Sequence, residues 1–334
     1  MSALTLLAVL LVVALAFDFL NGFSDSATVV ATIIASGAMS AHGALVLAAL
    51  GNFAGPFLFG VAVAQTVGAE IAEPHAVTIA VVLAALLAAS LWDLATWYLG
   101  LPVSSSHALV GGIVGAAATG SGTAAIHANG LWKVGIALLV SPPLGFAVAV
   151  AAMHATRWLL RDATPRSNIA LSRAQLLTGS ALALSHGAND AQKTMGLIAL
   201  GLVTLGFTPA FVVPWWVVFA SAAAIACGTA LGGWRIIRTL GARFYRVRPI
   251  HAFTSQVAAG AVILGASLAG GPVSSSQVVS MTTLGAGAAE RRSKVRWAVL
   301  GDLAAAWALT VPVTALLAVP LFYVVEALLS RGGW

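Results

Sequence analysis

The sequence predicts an all-α integral membrane protein made of two inverted-topology repeats, with roughly 10–12 helical segments that include re-entrant helical hairpins. Three observations predict it. Of 334 residues, 60% are hydrophobic and 8% charged, with a mean hydropathy of +0.99; an ordinary soluble domain carries about 25% charged residues. The apolar residues form unbroken runs such as 4–17, 76–91 and 134–153, where a β-barrel strand would place polar residues at every second position. Finally, two polar motifs each occur twice. Asn21-Gly22-Phe23-Ser24-Asp25 is echoed by His186-Gly187-Ala188-Asn189-Asp190, and Pro102-Val103-Ser104-Ser105-Ser106 by Pro272-Val273-Ser274-Ser275-Ser276.

The elements follow in order. Run 3–17 lacks the basic start of a signal peptide and leads into Asp18 and Asp25, so it reads as the first half of a broken membrane helix. Further apolar segments fall at 25–40, 43–67, 76–99, 103–119, 131–160, 175–205, 211–240, 252–270, 273–289 and 297–329. Segments 25–40, 103–119 and 273–289 are shorter than the about 20 residues a span requires, and read as half-helices or re-entrant limbs. The last segment carries Pro312 and Pro320, which predict a kink or two crossings. The two halves are 1–160 and 174–334, joined by a charged linker, 161–173. A third echo, Ser141-Pro142-Pro143 and Thr310-Val311-Pro312, follows the serine strings at similar distances.

Charge is distributed as loops, not as a nucleic-acid surface. The net charge is +6. Its basic residues gather as Arg157, Arg161, Arg166 and Arg173; as Arg235, Arg238, Arg243, Arg246 and Arg248; and as Arg291, Arg292, Lys294 and Arg296. Each cluster bounds an apolar segment, which places all three in the cytoplasm under the positive-inside rule. Anionic lipid headgroups are a secondary partner for them. Trp97, Trp132, Trp215, Trp216 and Trp297 read as interfacial anchors. Cys227, the single cysteine, lies in an apolar run and reads as a buried small hydrophobe.

The doubled motifs carry the chemistry. Carboxylates at membrane depth cost about 3 kcal/mol on insertion scales, so Asp25 and Asp190 call for a function. Gly22 and Gly187 would let each helix unwind there. Cation coordination or proton carriage fits, with Asn21, Ser24 and Asn189 adding neutral oxygens and a possible sodium ion at Asp25 and Asp190. Lys193, three residues after Asp190, can pair with it or touch an anion. Pro102 and Pro272 each fit a first helical position. Ser104, Ser105, Ser106, Ser274, Ser275 and Ser276 would then put hydroxyls at helix N-termini, where oxyanions bind. His107 and Gln277 follow the two strings in equivalent places, and His186 stands where Asn21 does. Asp18, Asp93 and Asp302 could support a cation path or pair structurally. A Ser–His hydrolytic dyad at His107 lacks a third orienting residue, and neither His-Glu-x-x-His nor Gly-x-Ser-x-Gly occurs.

These motifs, in this order, resemble those of the inorganic phosphate transporter (PiT) family of bacterial type. Gly187-Ala188-Asn189-Asp190, within Ser185-His186-Gly187-Ala188-Asn189-Asp190-Ala191-Gln192-Lys193-Thr194, matches the family's duplicated Gly-Ala-Asn-Asp hallmark. Asn21-Gly22-Phe23-Ser24-Asp25-Ser26-Ala27-Thr28 resembles the Asn-Gly-Phe-His-Asp form, and the serine strings resemble its hairpin tips. Ser24 departs from the family's usual Asn or His, and Gln277 from its repeated His.

The resemblance implies a multi-pass protein of the bacterial plasma (inner) membrane, a homodimer, that imports inorganic phosphate by symport with sodium or protons through alternating access. It implies no catalytic residue, no cofactor beyond the coupling ion, and no nucleic-acid partner. Substrate would be held by Ser104, Ser105, Ser106, His107, Asn189, Lys193, Ser274, Ser275, Ser276 and Gln277. The coupling cation would be held by Asn21, Ser24, Asp25, Asn189 and Asp190. A sulfate symporter of the same family is the alternative reading, and a passive anion channel a more distant one.

Overall fold

A computed structural model of the chain describes residues 2–71, 77–101, 103–164, 166–233, 237 and 245–331. The described residues form eleven α-helices and no strand element. In chain order they are α1 (Ala3–Ala35), α2 (Ala41–Phe59), α3 (Ala62–Gln65, continued by a π-turn, Thr66–Glu70), α4 (Ile79–Leu99), α5 (Ser105–Ser121), α6 (Ala128–Leu159), α7 (Ser167–Thr204), α8 (Trp215–Leu231), α9 (Pro249–Leu268), α10 (Ser275–Glu290) and α11 (Trp297–Arg331). Short 3₁₀ turns at Thr123–Ala125 and Arg292–Lys294 follow α5 and α10.

Six of these helices, α1, α2, α4, α6, α9 and α11, are long and apolar enough to cross a membrane. The molecule is an integral membrane protein. α7 is longer than any of them, yet its polar residues lower its hydropathy, and the reason is its position. Residues 185–202 are buried on every face of the helix, so α7 is an inner helix whose polar groups meet protein.

The element order α1, α2, α4, α5, turn, α6 recurs as α7, α8, α9, α10, turn, α11. Packing is exchanged between the halves. α2 lies against α7 and α8 against α1, while α10 packs on α6 and α11 on α5. The short helices α5 and α10 are therefore each braced by the long final helix of the opposite half. Ser141 of α6 and Thr310 of α11 occupy equivalent places within those braces.

Several expectations are corrected. α1 is one continuous helix, so 3–17 is not half of a broken helix, 25–40 is not a separate limb, and the Asp25 motif does not interrupt it. The Asp190 motif likewise lies inside unbroken α7. The glycines serve close approach, not unwinding. A Cβ on Gly22 would fall 2.1 Å from the Ile225 carbonyl oxygen, and one on Gly187 would fall 2.3 Å from that of Asn52. Segment 297–329 is a single helix despite Pro312 and Pro320. Segment 43–67 divides at Gly60, whose φ of +78° is left-handed.

Pro272 is not a first helical position. α10 starts at Ser275, with Ser274 as its N-cap accepting from the Gln277 N–H. α5 is capped in the same way by Ser104, which accepts from the His107 N–H. Serine takes the capping role because its hydroxyl satisfies a helix-start N–H. Cys227 is exposed on α8, not buried; the outer face of a membrane helix is itself apolar, so burial is not needed to hide a thiol. Trp132, Trp215, Trp216 and Trp297 are exposed, whereas Trp97 packs on Phe23 at 5.3 Å. Pro102, Pro165, Arg235, Arg238 and Arg243 lie outside the described residues.

Candidate ion and anion site between two helix starts

The N-termini of α5 and α10 meet in the buried interior of the molecule. Ser106 Oγ donates to the Val273 carbonyl at 2.9 Å, and Ser276 Oγ donates to the Val103 carbonyl at 2.7 Å. This reciprocal clasp joins the two serine strings tip to tip. Gln277 Nε2 lies 3.5 Å from His107 Nδ1 across the same junction. Both helix starts therefore bring their positive dipole ends and their uncapped first N–H groups to one place. His107 Nδ1 is 2.6 Å from Ser104 Oγ. That contact is local to the helix cap and orients the ring at the junction.

The middle serines reach to the long helices. Ser105 Oγ donates to Asn21 Oδ1 at 2.9 Å, and Ser275 Oγ donates to Asp190 Oδ2 at 2.7 Å. Each tip is thus tied to the Asp-bearing motif of one half. Asn21, Asp25, His186, Asn189, Asp190 and Lys193 are all buried.

Asp190 is the best-satisfied carboxylate. Lys193 Nζ donates to its Oδ1, and His186 Nε2 lies 2.9 Å from its Oδ2. Lys193 also donates to the Val273 carbonyl at 3.2 Å, which links the carboxylate to the α10 tip. His186 Nδ1 faces Asn52 Oδ1 at 3.1 Å, and Asn52 Nδ2 donates to Thr229 Oγ1 at 2.8 Å. Both imidazole nitrogens therefore face oxygen.

Asp25 is different. Its Oδ2 has no hydrogen-bond partner among the described residues, and neither has Asn189 Oδ1. Asn189 is oriented by donating from Nδ2 to Ser267 Oγ at 2.9 Å. Ligand atoms of Asp25, His186 and Asp190 all lie within 4.8 Å of one another. A buried oxygen without a partner calls for an explanation; Asp18 Oδ2 and Asp93 Oδ2 share that state, but Asp25 alone of the three is grouped with His186 and Asp190, a set that suits a small hard cation.

Not every expected residue joins the cluster. Ser24 is only half-buried and lies along the Gly233 backbone. The hydroxyls of Ser106 and Ser276 are engaged in the clasp. Asp302 is exposed on α11. Asp18 and Asp93 are buried, and Thr194 Oγ1 donates to Asp18 Oδ1 at 2.5 Å. Sequence reasoning missed Asn52, Thr229, Ser267 and Gln192, whose Oε1 accepts from the Val63 N–H at 2.9 Å. Asn52 could have been found as a lone amide inside an apolar run, and Gln192 lies beside Lys193 in the second motif.

Two capped helix starts clasped beside buried carboxylates, in the interior of a bundle of membrane helices, define a membrane transport protein. The comparisons agree. The model of the phosphate transporter family matches residues 21–318, and the chain belongs to that family. It is 40% identical over 326 residues to a probable low-affinity inorganic phosphate transporter of Rhizobium meliloti (strain 1021), covering 97% of this chain and 98% of that one. It is 38% identical over 331 residues to a protein of the same description from Bacillus subtilis (strain 168), covering 98% and 99%. Among solved structures it is similar to one described as the sodium-dependent phosphate transporter, with a TM-score of 0.88 and 22% identity over 97% of this chain and 99% of that one. That last likeness speaks to the fold.

Proposed function

We propose that the protein imports inorganic phosphate by symport with a cation, sodium or proton, through alternating access in the bacterial plasma membrane. The single observation that carries this reading is the juxtaposition of the clasped serine tips with Asp25 and Asp190. The tips supply hydroxyls and helix N-termini to a tetrahedral oxyanion. Ser105, Ser275, His107, Gln277 and Lys193 would hold it, Ser105 and Ser275 by turning their hydroxyls from Asn21 and Asp190 to the anion, with Ser104 and Ser274 holding the caps. Asp25, with the free oxygens of Asp25 and Asn189, is the place for the cation. Asp190 already holds Lys193 and takes part by anchoring both Lys193 and Ser275.

Coupling follows from charge. An anion and a cation that enter together lower the desolvation cost each would meet alone. The recurring element order supports two inverted repeats, 1–160 and 174–334, with 161–173 between them. In such proteins a central site is exposed in turn to either face. The Ser106–Val273 and Ser276–Val103 bonds are then the contacts that must open and re-form in each cycle. A homodimer is part of the same proposal, by family likeness.

The test is uptake of labelled phosphate into proteoliposomes under an imposed sodium or pH gradient, with sulfate as competitor. Accumulation driven by one gradient and resistant to sulfate supports the reading and names the ion. Uptake of sulfate in place of phosphate overturns the substrate, and anion currents down the anion's own gradient with no cation gradient imposed would mean a channel.

A further inference from the structure

The far end of α10 carries a second cationic feature. At Glu290, about 24 Å along the helix from its serine start, a cavity of about 370 Å³ opens. Arg246 and Arg248 line it from the segment that leads into α9, and Arg296 lines it from the residue before α11. Its inner wall is well fixed. The Tyr245 hydroxyl donates to the Thr283 carbonyl at 2.7 Å. The Tyr245 ring lies against Gly287, where a Cβ would fall 2.5 Å from it, and meets His251 edge-on at 5.1 Å.

Glu290 neutralises only part of the charge. Arg248 Nη2 donates to one of its oxygens, and His251 Nε2 lies 2.7 Å from the other. His251 Nδ1 accepts from the Arg248 N–H at 3.1 Å, so the ring presents its Nε2 proton to Glu290. Arg246 and Arg296 form no ion pair among the described residues. Three guanidinium groups thus face one carboxylate. The equivalent corner of the first half, after α5, is lined by Glu70, His127 and Lys133. There Lys133 Nζ donates to Glu70 at 2.8 Å, one cation to one carboxylate among the described residues. The excess of arginine is therefore a property of this corner, not a by-product of duplication.

We propose that this cavity binds a phosphate group, carried either by free orthophosphate or by an anionic lipid headgroup, at a site separate from the one between the serine tips. Paired guanidinium forks match phosphate oxygens in geometry as well as charge, and the start of α9 adds its dipole. A bound phosphate would tie the start of α9 to the start of α11 across the end of α10. It would restrain the helix whose other end forms the transport site, and so act as a brake from the basic face.

The test uses the detergent-purified full-length protein and two probes: ³²P-orthophosphate by equilibrium dialysis and phosphatidylglycerol by native mass spectrometry. Arg246→Gln/Arg296→Gln should weaken one probe's binding at this site about tenfold or more, since hydrogen bonds to charged groups are among the stronger ones. Weaker orthophosphate binding at a second, independent site names the free ion, and lost phosphatidylglycerol adducts name the lipid. Arg246→Lys/Arg296→Lys keeps the charge while losing the forks. Should the Gln pair aggregate, several-fold weaker binding by a monodisperse Lys pair supports the site equally. Wild-type binding of both probes by the monodisperse variants overturns it. Failure of phosphate uptake by the wild type would overturn the transport reading and leave this binding result standing.

Discussion

Ser106 of α5 donates its hydroxyl to the carbonyl of Val273, 167 residues away in the opposite half, at 2.9 Å. With its mirror bond from Ser276 to Val103, it makes the junction between the two helix starts a reciprocal contact. Ser106→Ala and Ser276→Ala should each cost about 1 kcal/mol of stability, the usual net worth of a buried hydrogen bond. A lowered Tm of the purified protein and a raised KM for phosphate are expected for both. Unchanged values in both variants would mean that the clasp does not shape the site.

The Asp190–Lys193 pair is buried on all sides. Lys193→Met would leave Asp190 with only His186 and Ser275, and breaking a buried pair in this way costs about 3–5 kcal/mol. The expected result is low yield and poor thermal stability. Adding Asp190→Asn should restore much of the fold by removing the stranded charge, while uptake stays absent. If Lys193→Met alone is as stable as the wild type, the pair is not a structural element.

Gly22 and Gly187 report on helix contact. Ala at either position would place a Cβ within 2.3 Å or less of a neighbouring backbone oxygen, so helices must separate, at a cost of about 1–3 kcal/mol or more for such overpacking. Gly135→Ala, with open space around its Cβ, is the control and should be neutral. Melting curves of the three variants decide this. A neutral Gly22→Ala and Gly187→Ala would revive the reading in which the glycines unwind the helix.

That outcome bears on what could be read from the chain beforehand. The membrane class was legible because runs such as 134–153 have no polar period. The two half-helices at α5 and α10 were legible because each is short and opens on a serine string. The continuity of α1 and α7 was not. A glycine beside a polar triplet has the same letters whether it opens a helix or lets another backbone lie against it, and only the position of Ile225 or Asn52 separates the two uses. Cys227 misled for a related reason: in a bilayer the outside of a helix is as apolar as its core. Asn52 stands out as a lone amide, but its role and that of Ser267 were hidden because the partner of each, His186 or Asn189, comes from a distant part of the chain.

Asn52 orients His186, and His186 stands beside Asp190. Asn52→Leu should leave the Nδ1 side of His186 and the Thr229 hydroxyl facing an apolar group, destabilising the protein by about 1–3 kcal/mol. Initial phosphate uptake rates should fall with it, and Asn52→Asp, which retains an oxygen toward His186, should retain more activity than Asn52→Leu. Equal uptake by Asn52→Leu and the wild type would mean that transport does not depend on how Asn52 orients His186.

In the symport proposed above, Asp25, with its unpartnered oxygen, holds the coupling cation beside a phosphate bound at the serine tips. The most direct measurement is labelled phosphate accumulation by Asp25→Asn proteoliposomes under the gradient that drives the wild type, with phosphate binding to the purified variant measured in parallel. Gradient-driven accumulation should disappear while the protein remains folded and binds phosphate, though more weakly. Accumulation by Asp25→Asn at the wild-type rate, with the same dependence on the gradient, would show that Asp25 does not hold the coupling cation.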